Sequence, residues 1–225
     1  CISLEDRVVI MTQSRTLVQA TRSRGINRLV VLAYQAGESQ YAAFLFFLLL
    51  TLALRAATFF QTNLGWDEGV YFSIARRMLS GDLLYVDVWD QKPPGIFFLF
   101  SAAFRLLGES ILSIRILACL SVALSCFLIY LLGTMVAKDR GTGLTILYAF
   151  LSLNNGGLEA NTEIFYNSFV LLAFYLLLRQ NIEQRGVHPV SLLATGLVVG
   201  LGIQIQYFVL FDFLAILFIT AGLVY

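Results

Sequence analysis

The sequence predicts an all-α membrane protein: a polytopic bundle of transmembrane helices with an amphipathic helix lying in its first outer loop. Three observations predict it. Hydrophobic residues make up 59% of the chain and charged residues only 13%, roughly half the charged share of a soluble domain. Mean hydropathy is +0.81, and the apolar stretches run long enough for helices rather than barrel strands. One long polar passage, Trp66–Gly95 (WDEGVYFSIARRMLSGDLLYVDVWDQKPPG), interrupts them. It gathers Asp67, Glu68, Asp82, Asp87, Asp90 and Lys92 beside apolar helices, where acids are costly unless something uses them.

The elements follow in order. Residues 1–40 read as a basic arm, with Arg7, Arg15, Arg22, Arg24 and Arg28 ahead of the first span and no acid between residues 7 and 37. The positive-inside rule puts that arm in the cytoplasm, a reading preferred over a transit peptide. The first span is expected at about Tyr41–Gln61, which leaves Trp66–Gly95 outside. Within that passage Asp67–Ser80 is expected to form an interfacial helix. Val70, Ile74 and Met78 share a face flanked by Tyr71 and Ala75, Ser73, Arg76 and Arg77 are polar, and Gly81 stops the helix.

Pro94–Leu107 is apolar but, at 1.5 Å per residue, falls short of a ~30 Å hydrocarbon core. If it crossed, Lys138, Arg140, Arg179 and Arg185 would all face outward, against the charge rule. It is therefore expected to lie in the interface or to re-enter. Ser110–Val136 is the next full span, followed by Gly143–Leu153, the polar stretch Asn154–Thr162, a span at about Glu163–Leu178, and a loop with Arg179 and Arg185. Pro189–Tyr225 is too long for one crossing and is expected to break near Gln204–Gln206. This arrangement puts Asn154–Thr162 on the same side as Trp66–Gly95, so the two polar loops can meet. The chain opens on Cys1 rather than Met and ends on apolar residues, as expected of a piece of a longer chain. No internal repeat or low-complexity tract is visible.

Several function classes recede. Net charge is +1, so the total says nothing about a nucleic-acid partner, and none is expected of a chain this apolar. His188 is the only histidine, so no His-rich zinc site is available. Cys119 and Cys126 lie seven residues apart in one apolar run, roughly 10 Å along a helix, too far for a disulfide. Both read as small core residues, and Cys1 stands alone.

The polar residues that remain each have two readings. Asp67 suits a helix N-cap, and it also suits a carboxylate poised at the membrane surface to take a proton, since the helix dipole stabilises negative charge there. Glu68 shares that position. Lys92, before Pro93-Pro94, is either a snorkelling lysine or a compact cation for a departing phosphate. Glu159 and Glu163 stand at the outer end of the fourth apolar segment, as solvated helix-start acids or as a second acid facing Asp67. Arg55, Arg105 and Arg115 lie inside or at the rim of apolar segments, where snorkelling accounts for each and an anionic lipid head group would account for all three. Asp212 is an acid within the last apolar segment.

Taken together, W-D-E-G-V-Y, A-R-R-M-L-S-G-D and Y-V-D-V-W-D-Q-K-P-P-G resemble the first outer loop of GT-C glycosyltransferases of family 39, which includes protein O-mannosyltransferases and aminoarabinose transferases. The resemblance covers roughly Ala42 to Tyr225. It implies a multi-spanning enzyme that moves a sugar from a polyprenyl-phosphate donor to an acceptor on the outer side of the membrane. By position it implies Asp67 and Glu68 as the catalytic pair, Asp67 as the base and Glu68 as the neighbour shaping the site, with Lys92 at the lipid phosphate and Glu163 as the second outer acid. Tyr71 and Arg115 join Lys92 and Glu163 in the implied substrate-binding set. A divalent cation at Asp67 and Glu68 is allowed for but not required. The acceptor is left open among glycolipid, polysaccharide and protein, and the expected location is the plasma membrane. The chain departs from the pattern at Gln204–Gln206, where many relatives carry a basic residue, and relatives are longer. Two other classes compete. A transporter or lipid flippase would place its charges near the midplane and show repeated halves, whereas here they cluster at one surface. A non-catalytic assembly subunit would not depend on Asp67.

Overall fold

The computed structural model describes residues 40–136, 141–154, 157–184 and 189–224, with side chains at all of these except 181–184 and 219–224. The basic arm, Cys1, Lys138, Arg140, Arg185 and His188 lie outside the described residues. The chain divides into two compact units, Cys1–Leu45 and Phe46–Tyr225. Of the first, only residues 40–45, the start of one helix, are described.

The described residues are helical, without a strand; the one β-bridge, Leu84 with Val88, is isolated. Helix α1, Gln40–Arg55, tightens into a 3₁₀ segment, Ala56–Phe60. Then come α2, Trp66–Leu79; α3, Gly95–Leu107; α4, Ile111–Val136; α5, Gly141–Leu151; α6, Thr162–Gln184; α7, Pro189–Ile203; and α8, Val209–Val224. Three segments are long and apolar enough to cross a membrane: Gln40–Phe60, Ile111–Val136 and Thr162–Gln180. The protein is an all-α membrane protein, as its composition requires.

Most expected boundaries fall within a residue or two of the observed ones. α6 is the exception: it runs past Leu178 and takes Arg179 into the helix, because Arg-Gln-Asn-Ile-Glu-Gln contains neither glycine nor proline to stop it. The break in the last apolar stretch falls at residues 204–208, where Gln206 N–H turns back to the Gly202 carbonyl at 3.0 Å.

The largest helix interfaces join α6 to α7, α4 to α6, α4 to α5 and α2 to α3. In lipid no hydrophobic force draws helices together, so close packing and hydrogen bonds hold them. α4 and α5 cross where a Cβ on Gly133 would come within 2.5 Å of Gly141 Cα. α4 and α6 share a hydroxyl ladder: Ser168 Oγ lies 2.9 Å from both Ser121 Oγ and Ser125 Oγ, and Ser121 donates to the Ile164 carbonyl at 2.8 Å. Val199 and Val209 close on Ala173 between α6, α7 and α8. Cys119 and Cys126 are buried free thiols in α4.

The polar passage folds as two short helices laid against each other. Tyr71 on α2 meets Phe97 and Phe100 on α3 edge-on, with ring centroids 5.9 and 6.0 Å apart, and Phe72 meets Phe104 at 4.8 Å. The buried side of α2 is Glu68, Tyr71, Ile74 and Ala75. Tyr71 and Ala75, expected to flank the apolar face, are its centre, while Val70 and Met78 are only half-buried. The rotation follows from Glu68, which pulls its own side of the helix inward.

Candidate active site

The site forms where the two polar loops meet, at the N-termini of α2 and α6. Gly65 is the N-cap of α2, which makes Asp67 the second helical residue and Glu68 the third. The capping carboxylate is Glu68: it accepts the Gly65 N–H at 3.3 Å, as a third-position glutamate does in a capping box. The expectation that Asp67 serves as an N-cap is therefore corrected.

Glu68 does more than cap. It is fully buried, and its Oε1 accepts the Ala160 N–H at 2.9 Å while its Oε2 lies 2.8 Å from Arg115 Nη2. Arg115, buried on α4, also donates to the Leu158 carbonyl at 2.6 Å and the Asn63 carbonyl at 3.3 Å. One ion pair thus ties together the entry to α2, the body of α4 and the loop ahead of α6. Burial pushes the Glu68 carboxyl up from its ordinary value, and the Ala160 N–H, the Arg115 charge and the Gly65 N–H oppose that push. Arg55, also buried, donates to the carbonyls of Ser152, at 3.3 Å, and Gly157. Snorkelling therefore describes neither Arg55 nor Arg115; both point into the protein and hold the same loop. Arg105 is exposed on α3.

Asp67 has a different fate. It is exposed, and among the described residues its side chain accepts one long hydrogen bond, from the Tyr71 hydroxyl at 3.4 Å. Tyr71 is buried beneath it, with Thr162 at the same hydroxyl. Burial raises the Tyr71 phenol well above its ordinary value near 10, and the negative charges of Asp67, Asp90 and Glu163 raise it further. The phenol stays protonated and remains a donor. Three acids from three separate segments therefore act on one hydroxyl. Glu163 is exposed at the start of α6, and Thr162 Oγ1 lies 3.3 Å from its carboxylate.

Lys92 follows two residues after Asp90, and its backbone N–H donates to Asp90 Oδ1 at 2.8 Å. Its loop is held at several points. Tyr85, at a left-handed φ of 67°, donates its hydroxyl to the Lys92 carbonyl at 2.6 Å. Tyr207 donates to the Gln91 carbonyl at 2.5 Å, and the Gly95 N–H to the Gln204 carbonyl at 2.7 Å. The break between α7 and α8 is thus the clamp on the Lys-Pro-Pro-Gly segment. No described residue pairs with the Lys92 ammonium. Nor do the described residues gather three or more His, Cys, Asp or Glu side chains in a group suited to a metal ion. A divalent ion at Asp67 and Glu68 would lack its second carboxylate, since both Glu68 oxygens are engaged. Glu159 lies against Gly65, where a Cβ would overlap its carboxylate, and accepts from Asn161 Nδ2 at 3.2 Å. Asp212 is in the first turn of α8.

The sequence model of the dolichyl-phosphate-mannose-protein mannosyltransferase family matches residues 91–224, more than half of the chain. The chain belongs to this family. It is a membrane glycosyltransferase of the GT-C kind, as the first-loop resemblance implied. The match opens one residue before Lys92 and takes in Arg115 and Glu163, while α2, with Asp67 and Glu68, precedes it. No curated protein and no solved structure matches the chain. Sequence reasoning missed Tyr85, Tyr207 and Gly95 as the residues that fix the Lys92 loop. The glycine directly after the two prolines was the available signal for a close backbone approach.

Proposed function

We propose that this mannosyltransferase-family chain transfers a sugar from a polyprenyl-phosphate donor to an acceptor on the outer face of a plasma membrane, with inversion at the anomeric carbon. Asp67 is the base. It takes the proton from the acceptor hydroxyl as that oxygen bonds to the anomeric carbon. The bond from that carbon to the phosphate oxygen breaks, and its electron pair leaves with the polyprenyl phosphate. Lys92 stabilises the charge growing on that phosphate. Bond cleavage running ahead of proton transfer allows a weak base to suffice.

The observation that carries this reading is the division of labour at the start of α2. Glu68 takes over capping and ion pairing, which leaves Asp67 open, oriented by a buried tyrosine that also feels Glu163 and Asp90. Tyr71 is a positioning residue: as a permanent donor it fixes one Asp67 oxygen and leaves the other for the acceptor. Glu68 and Arg115 position the loop that carries Glu163 to the site. Glu163 orients the substrate from the facing helix. The N-terminal arm lies in the cytoplasm and the two polar loops outside, in line with the charge rule.

The test is transfer of label from radiolabelled polyprenyl-phosphate mannose in membranes carrying the chain within its full-length protein. Wild type is expected to move label off the lipid. Asp67→Asn is expected to lose transfer by about 10²–10⁴-fold, the range of a general base, while still binding donor lipid. Lys92→Ala is expected to weaken both donor binding and transfer. Equal transfer by Asp67→Asn and wild type would overturn the reading.

A further inference from the structure

The first helix of the polar passage has a second working face. Trp66, Val70, Ser73 and Arg77 recur at helical spacing along α2, on the side away from Tyr71 and α3. They form one wall of an open cleft of about 630 Å³, whose other wall is Asp87, Val88 and Trp89, and this volume lies in the range of small-ligand sites. Trp66 and Trp89 are the only tryptophans of the chain. They stand 88% and 74% exposed at its rim, although exposing two indoles to water costs free energy unless something covers them.

Two charged side chains with unused capacity, Arg77 and Asp87, line the same cleft. Arg77 spends Nε on Asp82 at 2.5 Å and Nη2 on the Asp87 carbonyl at 3.3 Å. Asp87 spends Oδ2 on the Leu83 N–H at 2.8 Å. These bonds leave Arg77 Nη1 and Asp87 Oδ1 without a hydrogen-bond partner among the described residues, a donor and an acceptor lining one cleft.

We propose that this cleft binds a carbohydrate and that the acceptor of the reaction is therefore a glycan. A sugar ring offers an apolar C–H face, which aromatic faces cover, and neighbouring hydroxyls, which donate to a carboxylate and accept from a guanidinium. The cleft supplies both in one place. Its position fits an acceptor: Trp66 adjoins Asp67, and Trp89 adjoins Asp90, so both walls end at acids whose charge reaches the Tyr71 hydroxyl. Asp67 directly follows Trp66 in sequence, so a saccharide stacked on that indole would lie next to the residue proposed as base. Indoles also settle at bilayer headgroups, an occupant that brominated lipids distinguish. The word acceptor rests on the glycosyl-transfer reading; the carbohydrate site does not.

The test reads the two tryptophans directly. The chain in lipid nanodiscs is titrated with trisaccharides of mannose, glucose, galactose and N-acetylglucosamine, and with a Ser/Thr-rich peptide, while indole emission is followed. The single-tryptophan variants Trp66→Ala and Trp89→Ala assign the signal, and both remove exposed side chains, so folding is retained. A saturable blue shift with at least one trisaccharide, weakened about tenfold in each variant as one lost aromatic contact requires, is the expected result. The proposal is overturned if no trisaccharide moves the emission, if the peptide alone does so, or if brominated lipids quench both indoles and the sugars do nothing. Transfer assayed in parallel separates the two ideas: sugar binding without transfer sinks the enzyme reading alone, and transfer without sugar binding sinks the glycan site alone.

Discussion

Two regions one residue apart at the start of α2 treat a carboxylate in opposite ways. On the inner side Glu68 is sealed away, with a capping N–H, a second backbone N–H and a guanidinium filling its oxygens. On the outer rim Asp67 stands exposed with one long hydrogen bond from Tyr71. The lesson is that an acidic pair at a helix start is not a pair of equivalent charges. One acid builds the end of the helix, and that frees the other for chemistry. The inner region should answer mutation in stability and the outer one in turnover.

The largest effect expected of the inner region comes from Arg115→Met. It strands a buried Glu68 charge and should cost about 3–5 kcal/mol, the usual result of breaking a buried pair from one side. Thermal unfolding in detergent reads it, and a change below 1 kcal/mol would mean that water reaches Glu68 after all. Next is Gly95→Ala. A Cβ there would sit 2.5 Å from the Gln204 carbonyl oxygen that the Gly95 N–H bonds, so the loop bearing Lys92 must move. A loss of about 1–3 kcal/mol, typical of overpacking, should appear with weakened donor binding; a variant that binds donor normally would show that the α7–α8 clamp does not set Lys92.

Much of this was legible in the sequence. Apolar runs fixed the spans, and Gly81, Pro93 and Pro94 punctuated the polar passage. The glutamine break in the last apolar stretch marked a real interruption. The inward turn of Arg55 and Arg115 was not legible, because their partners lie 43 to 102 residues away in sequence and a guanidinium in an apolar run looks the same whether it snorkels or pairs. Nor did residue type reveal which of two adjacent acids caps the helix. The phase of Glu68 with Tyr71 and Ala75, three and seven residues on, was the available sign, overshadowed by the more apolar Val70, Ile74 and Met78.

Smaller effects sharpen the outer region. The Tyr71 phenol is raised in the folded state, so between its unfolded value near 10 and its higher folded value the unfolded chain loses a proton that the folded chain keeps. Stability should therefore fall as pH rises above 10, by at most about 1.4 kcal/mol per pH unit, and Tyr71→Phe should flatten that fall. Melting temperatures measured from pH 9 to 11 check it; an equal alkaline slope in the variant would place the titration elsewhere. Smallest is Ser168→Ala in the hydroxyl ladder, about 0.6 kcal/mol for each bond lost in the membrane, read as a small loss of stability with transfer intact. Loss of transfer there would tie the α4–α6 contact to the site.

The central claim, that neighbouring acids divide structure from chemistry, meets its most direct test in transfer per folded molecule, compared between Asp67→Asn and Glu68→Gln. The account expects Asp67→Asn to melt like wild type and transfer almost nothing. Glu68→Gln should melt lower and keep transfer within about a hundredfold of wild type, the cost of a small misplacement, at the low end of what a missing base costs. The reverse pattern, an active Asp67→Asn beside a stable but inactive Glu68→Gln, would contradict it.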